Sequence, residues 1–460
     1  MRARLLEPTD IAWLCAFRAL FGLTMAVSIW RFLANGWVER FFVEPRFFFK
    51  YWGFAWVEPL SASGMHVLVV ALGILALCIA VGVAFRASAL LFAAGFSYLQ
   101  LIDVSNYLNH YYLAALLAWL LLLSPAGRSW SVDAEIRRRW SRGGAPSSEW
   151  VAAVWLYLFR LQIALVYAFA AVAKLQPDWL IHAQPLRIWL AASAELPLLG
   201  PVLALPGTPL LMSWLGFLFD ATIVLWLSWS RTRLYAYAVL IAFHALTRAL
   251  FPIGMFPVIM ALSALVFFAP GWPRTLASHL GWRMAPAAAP ALSPTARASV
   301  RSKVALALVA SYCAIQLALP LRFLAYGGDV LWHEQGMRFS WRVMVRAKGG
   351  STTFVVKNRR TGRVWYVAPS AYLTALQESE MASQPDLILQ LAHHIREDVE
   401  RRGLGPAEIR VDSRVSLNGR RGSPLIDPAT DLATVSDGLA RQPWILPAPP
   451  TSAPHTRVSL

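Results

Sequence analysis

The stretch EWVAAVWLYLFRLQIALVYAFAAVAKLQPDW, residues 149–179, decides the fold. From Trp150 to Ala173 its strongly polar members are Arg160 and Gln162 alone. A helix needs about 20 apolar residues to cross a hydrocarbon core, and this run is long enough. Lys174 ends it, and Pro177 blocks its continuation.

Eight more runs of this kind lie near 11–33, 63–85, 88–105, 108–125, 210–229, 234–251, 253–270 and 303–323. The first has no small-residue cleavage site close behind it and reads as a retained span. The composition agrees: 57% of the 460 residues are hydrophobic and 15% charged. Soluble domains average about 45–50% and 25%, so the chain is neither disordered nor an ordinary soluble enzyme. The expected fold is an all-α polytopic membrane bundle of about nine transmembrane helices over 1–323. Cys15, Cys78 and Cys313 form no disulfide framework and no zinc pattern.

The net charge of +17 is unevenly placed. With nine spans, fourteen Arg in and beside short loops fall on one side, five of them in loop 125–149; six Lys or Arg face the other. The positive-inside rule then puts the N-terminus in the cytoplasm and residues after about 324 on the outer face of the plasma or inner membrane.

Those later residues are of another kind. TTFVVKNRRTGRVWYVA (352–368) alternates apolar and polar about Thr361-Gly362, a hairpin signal. Residues 370–380 and 385–402 have helical periodicity, ending at Gly403, and EIRVDSRVSL (408–417) reads as a strand. A small α+β extracytoplasmic domain is expected over 324–445, a Pro/Ala linker at 284–300 and a disordered tail over 446–460.

Ionisable groups at membrane depth are costly and mark candidate sites. Lys174 is one; a lysine snorkelling from a helix end is its plainer reading. The chain carries 37 Arg and five Lys, so Arg is its default cation. A guanidinium stays protonated, whereas an amine can serve as a base, which makes a Lys here informative. Asn109 and His110, in NYLNHYYLAALL, are either a helix cap with an interfacial histidine or part of a site. Asp103 reads as a partner or cap. His244, in IAFHALTRALFPIGMFP, precedes a break at Pro252 and Gly254; it is a packing residue or a pocket residue. Asp220, in GFLFDATIV, reads as a structural ion pair or hydrogen bond.

The outer part is basic: Arg338, Arg342, Arg346, Lys348, Arg420 and Arg421. Such a surface is a solvated face, a headgroup contact or a carboxylate site. Bases scattered over spans and outer segments argue against nucleic acid. His393-His394 is a weak metal signal without acidic company, and H-E-x-x-H, C-x-x-C and P-loop motifs are absent from the sequence.

Seven stretches taken together resemble the vitamin K-dependent γ-carboxylase family, whose membrane part is the HTTM domain. They are FFFKYWGFAWV (47–57), LIDVSNYLNHYYL (101–113), WSVDA (130–134), VYAFAAVAKLQPDW (166–179), FHALTRALFPIGMF (243–256), RFSWRVMV (338–345) and SLNGRRGSPLIDP (416–428). Each is weak alone; the ordered set, running from bundle into outer domain, is specific.

The resemblance implies a lyase that oxygenates reduced vitamin K, a phylloquinone or menaquinone hydroquinone, to the 2,3-epoxide. The strong base formed on the way takes a proton from a glutamate side chain, and the carbanion adds carbon dioxide. Oxygen and carbon dioxide are co-substrates and no metal is needed. The implied partners are membrane lipid, a glutamate-containing protein or peptide, and a quinone reductase for recycling.

By the same resemblance, Lys174 matches the base that deprotonates the hydroquinone. Asn109 and His110 match residues supporting oxygenation at the quinone head, and His244 a histidine of that pocket. Trp341 and Met344 match a stretch where quinone and glutamate meet, with Val343 in place of a family Met. Arg187, two residues before Trp189, resembles an arginine holding the glutamate carboxylate; Lys348 and Arg420 are further glutamate-binding candidates. Animal carboxylases continue well beyond the point where this sequence stops, so the expectation is a bacterial-type homologue lacking the long C-terminal extension.

Two other readings stay open at this level. One is a quinone epoxidase or oxygenase acting on another acceptor without carboxylation. The other is a non-enzymatic HTTM membrane protein, against which Lys174, Asn109 and His110 on separate spans argue.

Overall fold

The computed structural model describes residues 2–140, 149–193, 195–197, 199–282, 300–449 and 454. The linker expected at 284–300 lies, but for residue 300, outside the described residues, as do 450–453 and 455–460 of the tail expected from 446.

Every apolar run named above contains a helix. These are α1 (Ala12–Ala34), α2 (Ala62–Val81), α3 (Phe85–Ile102), α4 (Asn109–Leu123) and α5 (Val154–Lys174). After a short α6 (Leu186–Ala191) come α7 (Thr208–Ser228), α8 (Arg233–Leu250), α9 (Phe256–Ser263) and α10 (Val300–Leu321). The span count differs from the expected nine. Among the described residues six helices are long and apolar enough to cross a membrane, or seven with one bent pair.

The difference has local causes. α4 has 15 residues. α8 has 18, but Arg233, His244 and Arg248 lower its hydropathy. α9 runs into a 3-10 turn to Phe267 and then bends by 100° into Trp272–His279. Arg160 of α5 answers the carbonyls exposed there, donating to Val266 O at 2.8 Å, Phe267 O at 3.3 Å and Phe268 O at 3.1 Å. Unmet carbonyls at that depth would be costly, so the bend needs such a donor.

The helices pack as membrane helices do, through small residues where backbones meet. A Cβ on Gly22 of α1 would stand 2.5 Å from Ala80 N and 2.6 Å from Ala76 O of α2, so only glycine permits that approach. Ser61 caps the start of α2 through Gly64 N, and Gly82, with φ at +73°, closes its end. The apolar stretch of α10 is 11% buried, leaving nearly all its faces for lipid.

Two short strands near the chain start and before α5, β1 (Pro8–Asp10) and β2 (Trp150–Ala152), pair antiparallel. The outer sheet has β3 (Lys348–Asn358), β4 (Val364–Val367), β5 (Ala407–Leu417) and β6 (Ser423–Pro424). Its order is β4-β3-β5-β6, all antiparallel. The expected hairpin is β3–β4, with Gly362 at φ +72° in its turn. One face of β5 is buried at every second residue, and α12 (Pro385–Arg401) covers it with Leu387, Leu391 and Ile395. The helix expected at 370–380 is shorter, α11 (Ala375–Met381), because Thr374 and Gln377 form a capping box that fixes its start.

Side chains tie the outer part to the bundle. Gln377 Nε2 donates to Phe47 O at 2.7 Å and to Asp103 Oδ2 at 2.8 Å. Asp103 also caps the turn Val104–Asn106 through Ser105, so it is the partner and cap the sequence indicated.

Candidate active site

Three cavities meet beneath the outer domain, and Ile253 and Met344 line all of them. The largest, about 600 Å³, lies between bundle and outer domain and includes Trp189, Arg338, Arg342, Arg346, Glu334 and Glu380. The second, about 480 Å³, is an apolar chamber among α1, α3 and α4, with Phe41, Phe96 and Leu99 in its walls and Asn109 and His110 at one end. The third, about 100 Å³, holds Lys174, Asp220 and His244.

Local sequence explains how these residues arrive. α8 stops at Leu250, and Phe251–Met255 cross in non-helical form, with Gly254 at φ +60°. Arg248 Nη1 satisfies Gly254 O at 2.8 Å. The break fills with cavity on one side and with His110 on the other: a Cβ at Gly254 would sit 3.6 Å from His110 Nε2. Backbone of this kind is tolerated at membrane depth where it lines a cavity. On the outer side, Phe339, Trp341 and Met344 all have positive φ, at +64°, +57° and +53°. Each costs about 1–2 kcal/mol in a residue with a Cβ, and such strain gathers at functional sites.

Lys174 is buried at the end of α5. Its Nζ donates to Asp220 Oδ2 at 2.7 Å and lies 5.0 Å from the centre of the Trp179 ring. Trp179 is itself fixed by α7, its Nε1 donating to Ser213 O at 2.8 Å. His244 Nε2 meets Tyr167 Oη at 3.1 Å, while its buried Nδ1 has no hydrogen-bond partner among the described residues. Tyr107 Oη donates to Asn109 Oδ1 at 2.9 Å and accepts from Phe339 N at 2.9 Å, linking α4 to the strained outer segment. Lys174, His244, Asn109, His110 and Met344 thus gather in adjoining cavities.

Four expected site residues lie elsewhere. Trp341 is fully buried and stacks on Tyr112 at 4.9 Å; it lines none of the three cavities. Arg187 lines none of them either, and its Nε donates to His182 O at 2.9 Å. Lys348 is buried against Trp332 O at 2.5 Å and Glu334 at 2.9 Å. Burial lowers its amine below the usual range, against the pull of Glu334. Arg420 grips Asp178 with two nitrogens, at 2.7 and 2.5 Å. Lys348 and Arg420 are engaged in structural pairs, while Arg338, Arg342 and Arg346, the sequence neighbours of Lys348, line the large cavity.

Several cavity residues were not singled out from sequence. Tyr167 was within reach: it stands seven residues before Lys174, two helical turns along one face. Trp189 and Ile253 lie inside the stretches that carried the resemblance or beside them. Glu380, shared by the two larger cavities, carries no sequence signal because α11 comes from the outer domain. Its Oε2 accepts from Gln384 at 2.8 Å, and burial raises its carboxyl above the usual range.

The chamber suits a largely apolar ring system: its walls are mostly aromatic and aliphatic, and Asn109 and His110 are among its few polar groups, with Ser28, Arg31, Gln100 and Glu380 also in the lining. Among the described residues no group of three or more His, Cys, Asp and Glu side chains could hold a metal ion. His393 Nε2 instead meets Leu432 O at 3.1 Å and Val435 O at 2.8 Å.

Comparison with known protein families gives two matches. Residues 6–272 match the HTTM domain. Residues 301–451 match the vitamin K-dependent gamma-carboxylase lumenal domain. No solved structure matches the chain.

Proposed function

From the membership of this chain in the vitamin K-dependent γ-carboxylase family, which its two domain matches establish, we propose that this integral membrane protein couples oxygenation of a reduced naphthoquinone to carboxylation of a glutamate side chain. The observation that carries this reading is the junction at Met344. There an amine-bearing cavity, an apolar chamber and an outward polar cavity adjoin. When bound, the quinone supplies the reducing power and the strong base of the reaction.

Lys174 is the proton acceptor in this reading. Asp220, 2.7 Å from its Nζ, holds the amine in place at the inner cavity. Asn109 and His110 orient the quinone head, the former held by Tyr107. His244, held by Tyr167, lines the inner cavity beside Lys174. The surrounding apolar walls exclude water, which a base strong enough to remove a carbon-bound proton requires. Oxygen and carbon dioxide are the small co-substrates, and a quinone reductase renews the donor. The N-terminus is cytoplasmic and the lumenal-type domain faces outward, where a peptide acceptor reaches the 600 Å³ cavity.

The test is a paired assay on purified protein in lipid, supplied with reduced vitamin K, oxygen, labelled bicarbonate and a glutamate-containing peptide, with Lys174→Ala as control. Epoxide and labelled peptide, both lost in the variant, are expected. Epoxide without label would replace carboxylation by another acceptor chemistry; no epoxide with several quinones would end the enzymatic reading.

A further inference from the structure

Three guanidinium groups face the large cavity, and they are not equivalent. Arg338 is held by Asp386 and Gln384. Arg346 is held by Glu334, which Lys348 also binds. Arg342, between them in sequence, has no hydrogen bond and no ion pair among the described residues, and its Nε is buried without a partner. Its Cζ stands 4.1 Å from the centre of the Phe323 ring, so an aromatic face fixes the guanidinium in place of an anion. Burial brings its pKa down to about 10, which leaves it charged at neutral pH. The nearby acids are engaged elsewhere: Glu334 serves Arg346 and Lys348, Glu380 accepts from Gln384, and Asp329, whose charge acts on Arg342 through space without forming an ion pair, accepts from Leu331 N at 2.9 Å.

A half-buried, charged fork with unused donors, preset beside a cavity, is suited to a carboxylate, which it can bind through two parallel hydrogen bonds. Met344 lies two residues away and opens on the Lys174 cavity as well. A carboxylate held at Arg342 is thereby placed at the outer entrance to the reacting centre.

We infer that Arg342 is the anchor for the acceptor's side-chain carboxylate, in place of Arg187, Lys348 and Arg420, and so selects glutamate over its neutral amide. This rests on the acceptor reading of the preceding subsection. Arg342 is a binding residue, not the base.

The test uses the full chain in lipid nanodiscs and two fluorescent pentapeptides, one with a central glutamate and one with glutamine in its place. Wild-type protein should bind the glutamate peptide at least tenfold more tightly. Arg342→Gln should lose that preference by weakening the glutamate peptide alone, and Arg342→Lys should keep part of it. In turnover, Arg342→Gln should raise KM for the glutamate peptide tenfold or more and lower kcat by less than threefold. An Arg342→Gln protein that still selects glutamate tenfold overturns the assignment while leaving the acceptor reading intact. A wild type that neither selects glutamate nor labels it overturns the acceptor reading, and this inference with it.

Discussion

Lys174 Nζ and Asp220 Oδ2 stand 2.7 Å apart, joining the end of α5 to the middle of α7 across 46 residues of chain. Both side chains are 8% exposed, so the pair is structural and chemical at once. Removing one partner of a buried pair leaves the other uncompensated and costs about 3–5 kcal/mol, whereas replacing both by apolar residues is often neutral. Lys174→Met and Asp220→Leu should each lower thermal stability in detergent, and the double variant should recover most of it. Quinone oxidation should stay absent in all variants lacking Lys174. Turnover in the stable double variant would remove Lys174 from the chemistry.

The Arg420–Asp178 grip belongs to the join between bundle and outer domain. Burial works to raise the Asp178 carboxyl, but the hydrogen bonds from Arg420 and Asn418 overcome it and hold the group below its ordinary 3.8. An acid depressed in the folded state supplies stability present above its unfolded pKa and lost as pH falls through the folded one. Arg420→Met should therefore cost about 1.5–3 kcal/mol at neutral pH and flatten the acid limb of the stability curve. KM for the glutamate peptide should change less than twofold, and a tenfold rise would return Arg420 to the acceptor site.

Glu380 gives the opposite sign. Its carboxyl is raised above 4.5 by burial, so its contribution is present below that pH and is lost as pH rises through the folded value. Glu380→Gln should match wild type near pH 4 and be the more stable at pH 7. Equal melting curves across that interval would place the carboxyl in water.

Gly254 holds φ at +60° beside His110. Alanine there costs about 1–2 kcal/mol and pushes a methyl toward the imidazole. Gly254→Ala should raise KM for the quinone several-fold with less effect on KM for the peptide. Equal effects on both would mean that the break acts on the fold as a whole.

Tyr167→Phe removes the hydrogen bond that, among the described residues, the His244 ring makes, and leaves its second nitrogen without a partner there. The expected cost is about 1–3 kcal/mol of stability, with weaker quinone binding in the same sense as His244→Ala. Quinone affinity unchanged in both variants would exclude the pair from the chamber.

All nine apolar runs proved helical because the need to bury or lipidate some twenty apolar residues acts along a single segment. Whether each crosses the bilayer was less legible: α4 is short, α8 carries two arginines, and α9 turns sharply where Arg160 from another helix supplies donors. The β3–β4 hairpin and the α12 helix were readable from period and turn residues, as local signals are. The start of α11 was misjudged because a capping box at Thr374 overrode the apolar pattern before it.

By itself, then, the sequence determined the membrane bundle, the α+β outer part and the polar residues at depth, Lys174, Asn109, His110 and His244. Hydrophobic period and the cost of a lone charge in lipid are written in consecutive residues. Tertiary structure alone decided which cations are free. Lys348 and Arg420 look like ligand groups in one dimension, yet Glu334, from just before β3, and Asp178, from the bundle, engage them. Arg342 looks like its neighbours, yet among the described residues no acid forms an ion pair with it and its buried Nε has no hydrogen-bond partner. Whether a charge is available depends on its partner's position in space, and the pairing of Arg420 with Asp178 across 242 residues has no signature in local pattern.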